Sequence, residues 1–110
     1  MLNDCLFCAI AAGEIPSSKV YENEYVYAFN DIAPKAPVHI LVIPKEHISG
    51  ASAVTAENSH LVSRCFEAIA EITKSKGIKN FQVISNCGEK AGQTVFHLHF
   101  HILAQQENEE

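Results

Sequence analysis

Three of the six histidines alternate with apolar residues near the end of the chain, as His97, His99 and His101. Residues two apart in a β-strand project from the same face, so this spacing predicts that the three imidazoles lie side by side. A neutral imidazole can act as a nucleophile, and a charged one can bind a phosphate oxygen. We therefore predict that His99, flanked by the other two, attacks a phosphorus atom. Surface histidines on a half-buried strand, or a metal cluster, are the alternatives at this point.

A short loop precedes the histidines, with the sequence Gly92-Gln93-Thr94-Val95. Glycine permits a tight turn, and free backbone N–H groups in such a turn can face a phosphate. Thr94 adds a hydroxyl donor. The loop alone fits an ordinary turn equally well, but beside the histidines it indicates an anion site.

The pair Cys5-x-x-Cys8 can supply two of the four ligands of a tetrahedral zinc ion. No second Cys-x-x-Cys exists in the sequence, so the other ligands must come from elsewhere. The alternatives are two buried helical cysteines or, with less support, a redox pair. We interpret Cys65 and Cys87 as packing residues.

Hydrophobic periodicity and turn residues predict the elements that position these groups. Helices are predicted over residues 4–12, ended by Gly13, and from a cap at Thr55 to about Lys76. The predicted strands are a hairpin of residues 20–21 and 25–29, followed by 38–43, 81–84 and 96–103. We expect one α+β domain over residues 1–110, with about five mostly antiparallel strands, one main helix and a short N-terminal helix. Residues 107–110 are expected to be a solvated acidic end.

Composition excludes several classes of function. The chain has 110 residues, 47% of them hydrophobic, and a net charge of −5. No Lys/Arg cluster favours nucleic acid or a membrane surface, and no apolar stretch approaches the roughly 20 residues of a membrane helix. The apolar N-terminal run lacks the basic flank of a signal peptide. A cytoplasmic location with reduced cysteines is therefore expected.

Residues 92–103 resemble the histidine triad (HIT) signature, His-φ-His-φ-His-φ-φ, where φ is apolar. Residues 5–16, 29–34 and 36–47 resemble the N-terminal segment and nucleotide-binding centre of the same family, so the resemblance covers nearly the whole chain. The Gly-Gln-Thr-Val loop is similar to that of the Hint-like branch, which hydrolyses purine nucleoside phosphoramidates. The resemblance implies a HIT-like fold and a homodimer formed through the main helix and the sheet edge.

The resemblance also implies roles for individual residues. His99 matches the residue that becomes nucleotidylated, His101 a phosphate contact, and Thr94 a group near the leaving group, where the family often has serine. Asp31 matches a ribose ligand, although an aspartate here also suits a turn. The full nucleotide-binding set implied is Phe7, Ile10, Phe29, Asp31, Ile32, His39, Asn86, Gly92, Gln93, Thr94, Val95, His99 and His101. Three of these, Phe7, Ile10 and Phe29, are equally well explained as core residues.

For the zinc site, the resemblance implies that His47 and His97 complete the pair Cys5 and Cys8. Zinc would then be structural, and no catalytic metal is required. Three other interpretations of the chain remain open: a dinucleoside polyphosphate hydrolase, a nucleotide-sensing scaffold with incidental activity, and a zinc-only structural domain.

Overall fold

Five antiparallel strands form a single sheet in the computed structural model, which describes residues 5–110. In chain order, the strands are β1 (Lys19–Glu22), β2 (Val26–Asn30), β3 (Val38–Pro44), β4 (Gln82–Ile84) and β5 (Phe100–Ala104). They lie in the order β1-β2-β3-β5-β4. The helices are α1 (Leu6–Ala11) and α2 (Ser59–Ser75), and short 3-10 turns occur at Ala51–Ala53 and Glu89–Ala91. The predicted α+β fold is confirmed; the predicted start of α1 at Asp4 lies outside the described residues.

Strand β3 is buried along its whole length because apolar groups cover both faces of the sheet. Ile40 and Val42 face α2, while Leu41 and Ile43 face α1. A continuous apolar run is what a strand covered on two sides requires. His39 interrupts this run on the α1 face, and the histidine site lies on that face.

Helix α2 presents one apolar stripe to the sheet, formed by Leu61, Cys65, Ile69 and Ile72 at helical spacing. The predicted start at Thr55 is wrong, because the helix begins at Ser59. The Thr55 N–H donates to the side-chain oxygen of Asn58 at 2.7 Å, so residues 55–58 form a turn ahead of the helix. Neither helix in the described part of the chain has the length and apolar character that crossing a bilayer requires.

The last strand begins at Phe100, four residues later than the pattern predicts. The Leu98 N–H donates to the carbonyl of Ile48 at 2.6 Å, outside the sheet. Pro44, at the end of β3, has no N–H, and its carbonyl accepts from the side chain of His97 at 2.8 Å. The β3–β5 ladder therefore stops at the Val42–Phe100 pair.

The predicted solvated end packs against the turn after α2. The N–H groups of Asn108 and Glu109 donate to the carbonyls of Lys76 and Gly77. The Glu109 carboxylate accepts from the side chain of Asn80 at 2.7 Å and from the Asn80 N–H at 3.1 Å. A Cβ at Gly77 would lie 2.8 Å from the Cα of Asn108, and its φ is +65°, so only glycine fits there.

Candidate active site

Four histidines lie where β5 begins beside β3. His101 pairs with Leu41 across the strands, and His39 pairs with Leu103, so both rings project from the α1 face. The Nε2 of His39 lies 2.8 Å from the Nδ1 of His101, and the rings of His99 and His101 are 5.0 Å apart. The structure thus brings the predicted histidines together on one face, although His97 and His99 precede the regular strand.

The His99 ring is held so that one nitrogen is open. Its Nδ1–H donates to the carbonyl of His97 at 2.7 Å, and the ring of Phe7 packs edge-on at 5.1 Å. The side chain is only 6% exposed. The His99 Nε2 has no hydrogen-bond partner within residues 5–110. Every side-chain nitrogen there that lacks a partner keeps some exposure to solvent, so the His99 Nε2 is accessible. In the neutral ring this atom carries the lone pair.

His97 faces away from this opening, toward the cysteines. Its Nε2–H donates to the carbonyl of Pro44, which leaves the lone pair on Nδ1. Burial, helped by nearby His47 and His99, lowers the pKa of His97 to about 4 despite the opposing effect of the hydrogen bond to Pro44. A neutral imidazole with a fixed lone pair is the form that binds a metal ion.

The four predicted zinc ligands form one cluster. The His97 Nδ1 lies 3.2 Å from the Cys5 Sγ, 3.4 Å from the Cys8 Sγ and 3.2 Å from the His47 Nδ1. All four donor atoms lie within 4.8 Å of one another. The donor-to-donor edges of a tetrahedral zinc site of this composition measure about 3.3–3.8 Å, so the donor set fits zinc.

The other end of the histidine row contains Asp31 and His39. The Asp31 Oδ1 accepts from the Ala33 N–H at 2.8 Å, which is the turn role its sequence position suggested, and Oδ2 lies 3.3 Å from the His39 Nε2. Burial lowers the pKa of His39. It also lowers the pKa of His101 to about 4, helped by the neighbouring His99 and His39 rings. Both rings are therefore neutral near pH 7.

The residues predicted to contact the base differ in exposure. Phe7, Ile10 and Phe29 are buried in the apolar cluster on the α1 face, where Phe7 and Phe29 meet edge-to-face at 5.4 Å. Ile32 is 97% exposed and stands at the rim of the site, next to Asp31. The first three therefore form the floor beneath His99, as core residues do, and Ile32 is freely available to a ligand.

The loop before the histidines is only partly available for binding. Gly92 has φ of +96°, the left-handed conformation expected of this turn. The prediction of free N–H groups is wrong for Gly92 and Gln93, which donate to the carbonyls of Glu89 and Gly88. The N–H groups of Thr94 and Val95 have no acceptor within the described residues, and Thr94 is exposed.

The Gln93 side chain anchors the loop. It is 3% exposed; its Oε1 accepts from the Gly88 N–H at 2.8 Å, and its Nε2 donates to the carbonyls of Ser49 and Val95 at 2.9 and 3.0 Å. Every hydrogen-bonding group of the amide has a protein partner except one acceptor site. Gln93 therefore holds the predicted anion loop in place and has little capacity left for a ligand.

Two further side chains shape the site. The Asn86 Nδ2 donates to the carbonyl of Ala91 at 2.9 Å, which leaves its oxygen available. The Ser85 Oγ donates to the carbonyl of His99 at 2.8 Å and fixes the backbone of the central histidine. Sequence reasoning missed Ser85, since only the folded position of the segment after β4 reveals its partner.

A cleft of about 560 Å³ opens at the end of the sheet, where β4 and β3 begin and β5 ends. Its wall includes Lys35, Lys79, Phe81, Gln82, Leu103 and Gln105. None of the residues predicted to bind the nucleotide lines it, although Leu103 is the strand partner of His39. The cleft is thus distinct from the open nitrogen of His99.

Comparison with known proteins gives matches over almost the full chain. The family model for scavenger mRNA decapping enzyme C-term binding matches residues 4–110. Protein HitA of Neisseria gonorrhoeae is 41% identical over 103 residues, which is 93% of this chain and 96% of that protein. An uncharacterised HIT-like protein of Helicobacter pylori is 46% identical over 101 residues, covering 90% and 94% of the two chains.

Solved structures show the same fold. A histidine triad protein from Clostridium difficile superposes with a TM-score of 0.91 at 48% identity, covering 100% of this chain and 98% of that one. A HIT family hydrolase from Clostridium thermocellum gives a TM-score of 0.88 at 42% identity, covering 94% and 92%. The β3–β5 pair and the histidines it positions therefore lie within the region of similarity.

Proposed function

Because the chain belongs to the histidine triad family, we propose that it is a hydrolase that cleaves purine nucleoside phosphoramidates through a nucleotidyl-histidine intermediate. The observation that carries this proposal is the orientation of His99. Its Nδ1–H is fixed by the His97 carbonyl, and its Nε2 is the open atom of an otherwise buried ring. A pure binding site has no need of a nucleophile in this arrangement.

The reaction takes place in two displacements at the α-phosphorus. The His99 Nε2 forms a bond to phosphorus while the phosphorus–nitrogen bond to the amine breaks. The neutral His101 ring hydrogen-bonds to the amine through its N–H and keeps that proton, and the proton that the amine takes up comes from solvent, relayed through the exposed Thr94 hydroxyl. Water then attacks the nucleotidyl-histidine, releases the nucleoside monophosphate and gives up a proton. Two displacements, each with a lower barrier than the direct reaction, replace one difficult step. The N–H groups of Thr94 and Val95 stabilise the charge on the phosphate oxygens.

The rest of the nucleotide occupies the α1 face. The ribose hydroxyls bind the carboxylate of Asp31, which is partly exposed. The base lies on exposed Ile32 and reaches the edge of the floor formed by Phe7 and Phe29. The side-chain oxygen of Asn86 remains available on the phosphate side.

The test compares the unsubstituted protein with His99→Ala. We expect the unsubstituted protein to hydrolyse adenosine 5′-phosphoramidate and to yield a trapped nucleotide adduct on the His99 peptide by mass spectrometry. His99→Ala should bind AMP but lose turnover by at least about 10³-fold. Turnover by His99→Ala near the unsubstituted rate contradicts the mechanism. Tight AMP binding with no turnover of any nucleotide conjugate by the unsubstituted protein favours a nucleotide sensor instead.

We also propose that the Cys5, Cys8, His47 and His97 cluster holds a structural zinc ion. The ion would tie α1 to the end of β3 and to the start of the histidine segment. Because thiolate ligands need a reducing environment, we place the protein in the cytoplasm. Elemental analysis should find about one zinc per chain, lost in His47→Asn and retained in the control His60→Asn, which alters an exposed histidine of α2. No zinc in the unsubstituted protein contradicts this proposal.

A second candidate activity is hydrolysis of a dinucleoside polyphosphate. It is favoured by the matching family model, whose description names a scavenger mRNA decapping enzyme. The same nucleophile would serve, with a phosphate in place of the amine as leaving group. Values of kcat/KM measured on adenosine 5′-phosphoramidate and on a diadenosine polyphosphate decide between the two.

We propose, finally, that the chain forms a homodimer through α2 and the β4 edge. Strand β4 lies at the edge of the sheet, with Phe81 and Ile84 exposed in it or beside it, and α2 exposes Phe66, whose ring contacts Phe100 of the neighbouring strand β5 at 5.1 Å. An uncovered edge strand with apolar neighbours is a typical self-association surface. Light scattering after size-exclusion chromatography should give twice the chain mass, reduced toward a monomer by Phe66→Asp. A monomeric unsubstituted protein contradicts the proposal.

A further inference from the structure

A backbone N–H anchors the histidine row at the end opposite the cysteines. The N–H of Lys35 donates to the Nδ1 of His39 at 3.0 Å. Since a backbone amide nitrogen can only donate, the Nδ1 of His39 must carry a lone pair. The proton of the neutral His39 ring is therefore on Nε2.

The same reasoning extends to the next ring. The His39 Nε2 lies 2.8 Å from the His101 Nδ1 and 3.3 Å from the Asp31 Oδ2, and both of these atoms can accept its proton. His101 thus accepts at Nδ1, and its own proton is on Nε2. The His101 Nε2 has no protein partner within residues 5–110, and no side-chain nitrogen there is both buried and unpartnered. This N–H is therefore open to a ligand.

We propose that the loop of residues 31–37 sets the tautomer of His101, with the Lys35 N–H as the fixed reference and His39 as the positioning residue between them. The neighbouring rings then present opposite groups to a substrate. His99 offers a lone pair on Nε2, and His101 offers an N–H on Nε2. One attacks phosphorus while the other donates to a phosphate oxygen or to the departing amine. Only this consequence for catalysis rests on the proposed function.

The alternative tautomer is disfavoured by its contacts. If His39 carried its proton on Nδ1, two N–H groups would face each other at 3.0 Å, and the partly buried Lys35–His39 contact would lose its hydrogen bond. If His101 then reversed as well, its lone pair would face the substrate phosphate. Loss of one such hydrogen bond biases a tautomer ratio by on the order of tenfold or more.

The direct test is long-range proton–nitrogen NMR on protein with 15N-labelled histidines at pH 7.5. Neutral imidazoles give distinct nitrogen shifts for the two tautomers. We expect His39 and His101 as Nε2–H tautomers and His99 as Nδ1–H. A His39 or His101 signal of the Nδ1–H type overturns the proposal. Because no substrate is present, this result is independent of whether the protein hydrolyses phosphoramidates.

Substitution at Lys35 tests the cause. Lys35→Pro removes the N–H, and Lys35→Ala keeps it while removing the same charge. We expect Lys35→Pro to shift the His101 tautomer ratio by on the order of tenfold, with Lys35→Ala unchanged. If Lys35→Pro does not fold, His39→Gln, which keeps a donor toward His101, should preserve the His101 tautomer that His39→Leu loses. Equal His101 spectra in the Pro and Ala variants, or in the Gln and Leu variants, overturn the proposal.

Discussion

Replacing Gln93 by alanine tests whether this residue builds the loop or binds the nucleotide. The amide is 3% exposed and makes three hydrogen bonds with backbone groups of Gly88, Ser49 and Val95. Each bond contributes about 1 kcal/mol net, so Gln93→Ala should lower the free energy of unfolding by about 3 kcal/mol. For a slope of about 1.5–2 kcal/mol per molar urea, the midpoint falls by about 1.5–2 M.

Urea unfolding followed by far-UV circular dichroism measures this change. Thr94→Val is the control, because Thr94 is the exposed neighbour and its side chain makes no hydrogen bond in the described structure. It should change the free energy of unfolding by less than about 0.5 kcal/mol. If Gln93→Ala costs less than about 1 kcal/mol and instead weakens AMP binding, Gln93 is a ligand contact and the structural reasoning is refuted.

Three further predictions rest on single groups. The pKa of His101 is lowered to about 4 in the folded protein, so on acidification the unfolded chain takes up a proton at this residue before the folded protein does. The free energy of unfolding should therefore fall as the pH drops from 6.5 to 4. Because the ring is partly exposed, His101 should contribute less than about 1.4 kcal/mol per pH unit. Acid titration of unfolding should show a shallower slope for His101→Asn. Burial raises the pKa of the Cys65 thiol to about 12, whereas a hydrogen bond with the Ser52 hydroxyl lowers the pKa of Cys87. Because the thiolate is the reactive form, iodoacetamide at pH 8 should label Cys87 and spare Cys65, as peptide mass spectra would show. Glu109→Gln should lower the midpoint of thermal unfolding by a few degrees, because the Glu109 carboxylate accepts three hydrogen bonds. An unchanged midpoint would mean that this C-terminal contact adds no stability.

Alternation along the histidine segment was sufficient to predict its two faces. Leu98, Phe100 and Ile102 are buried against α2, as the sequence pattern indicates, and the histidines face the other side. This prediction succeeded because the direction of a side chain in an extended segment depends on local geometry alone. The structure brings the cysteine and histidine cluster together, a set that only the family resemblance suggested, because four distant residues cannot be paired from their spacing.

Features that depend on long-range partners were not predictable in this way. Thr55 is a good helix cap by residue type, but its carbonyl closes a separate turn with the N–H groups of Asn58 and Ser59, and α2 begins only at Ser59. The acidic end has the composition of a solvated tail, and its packing depends on a turn some 30 residues away in sequence. Gln93 looks like a ligand for an anion until Ser49 and Gly88 are brought beside it.

The break between Leu98 and the regular part of β5 explains how one histidine segment can serve two purposes. The His97 side chain reaches Pro44 and the cysteines, while its own carbonyl accepts the Nδ1–H of His99. Both contacts originate from one residue, so the position of the His97 ring and the tautomer of the nucleophile are mechanically linked. A metal ion bound to the His97 Nδ1 would fix the carbonyl that orients His99 without approaching the substrate. A continuous strand would have used that backbone for ladder hydrogen bonds and left the nucleophile free to reverse its tautomer.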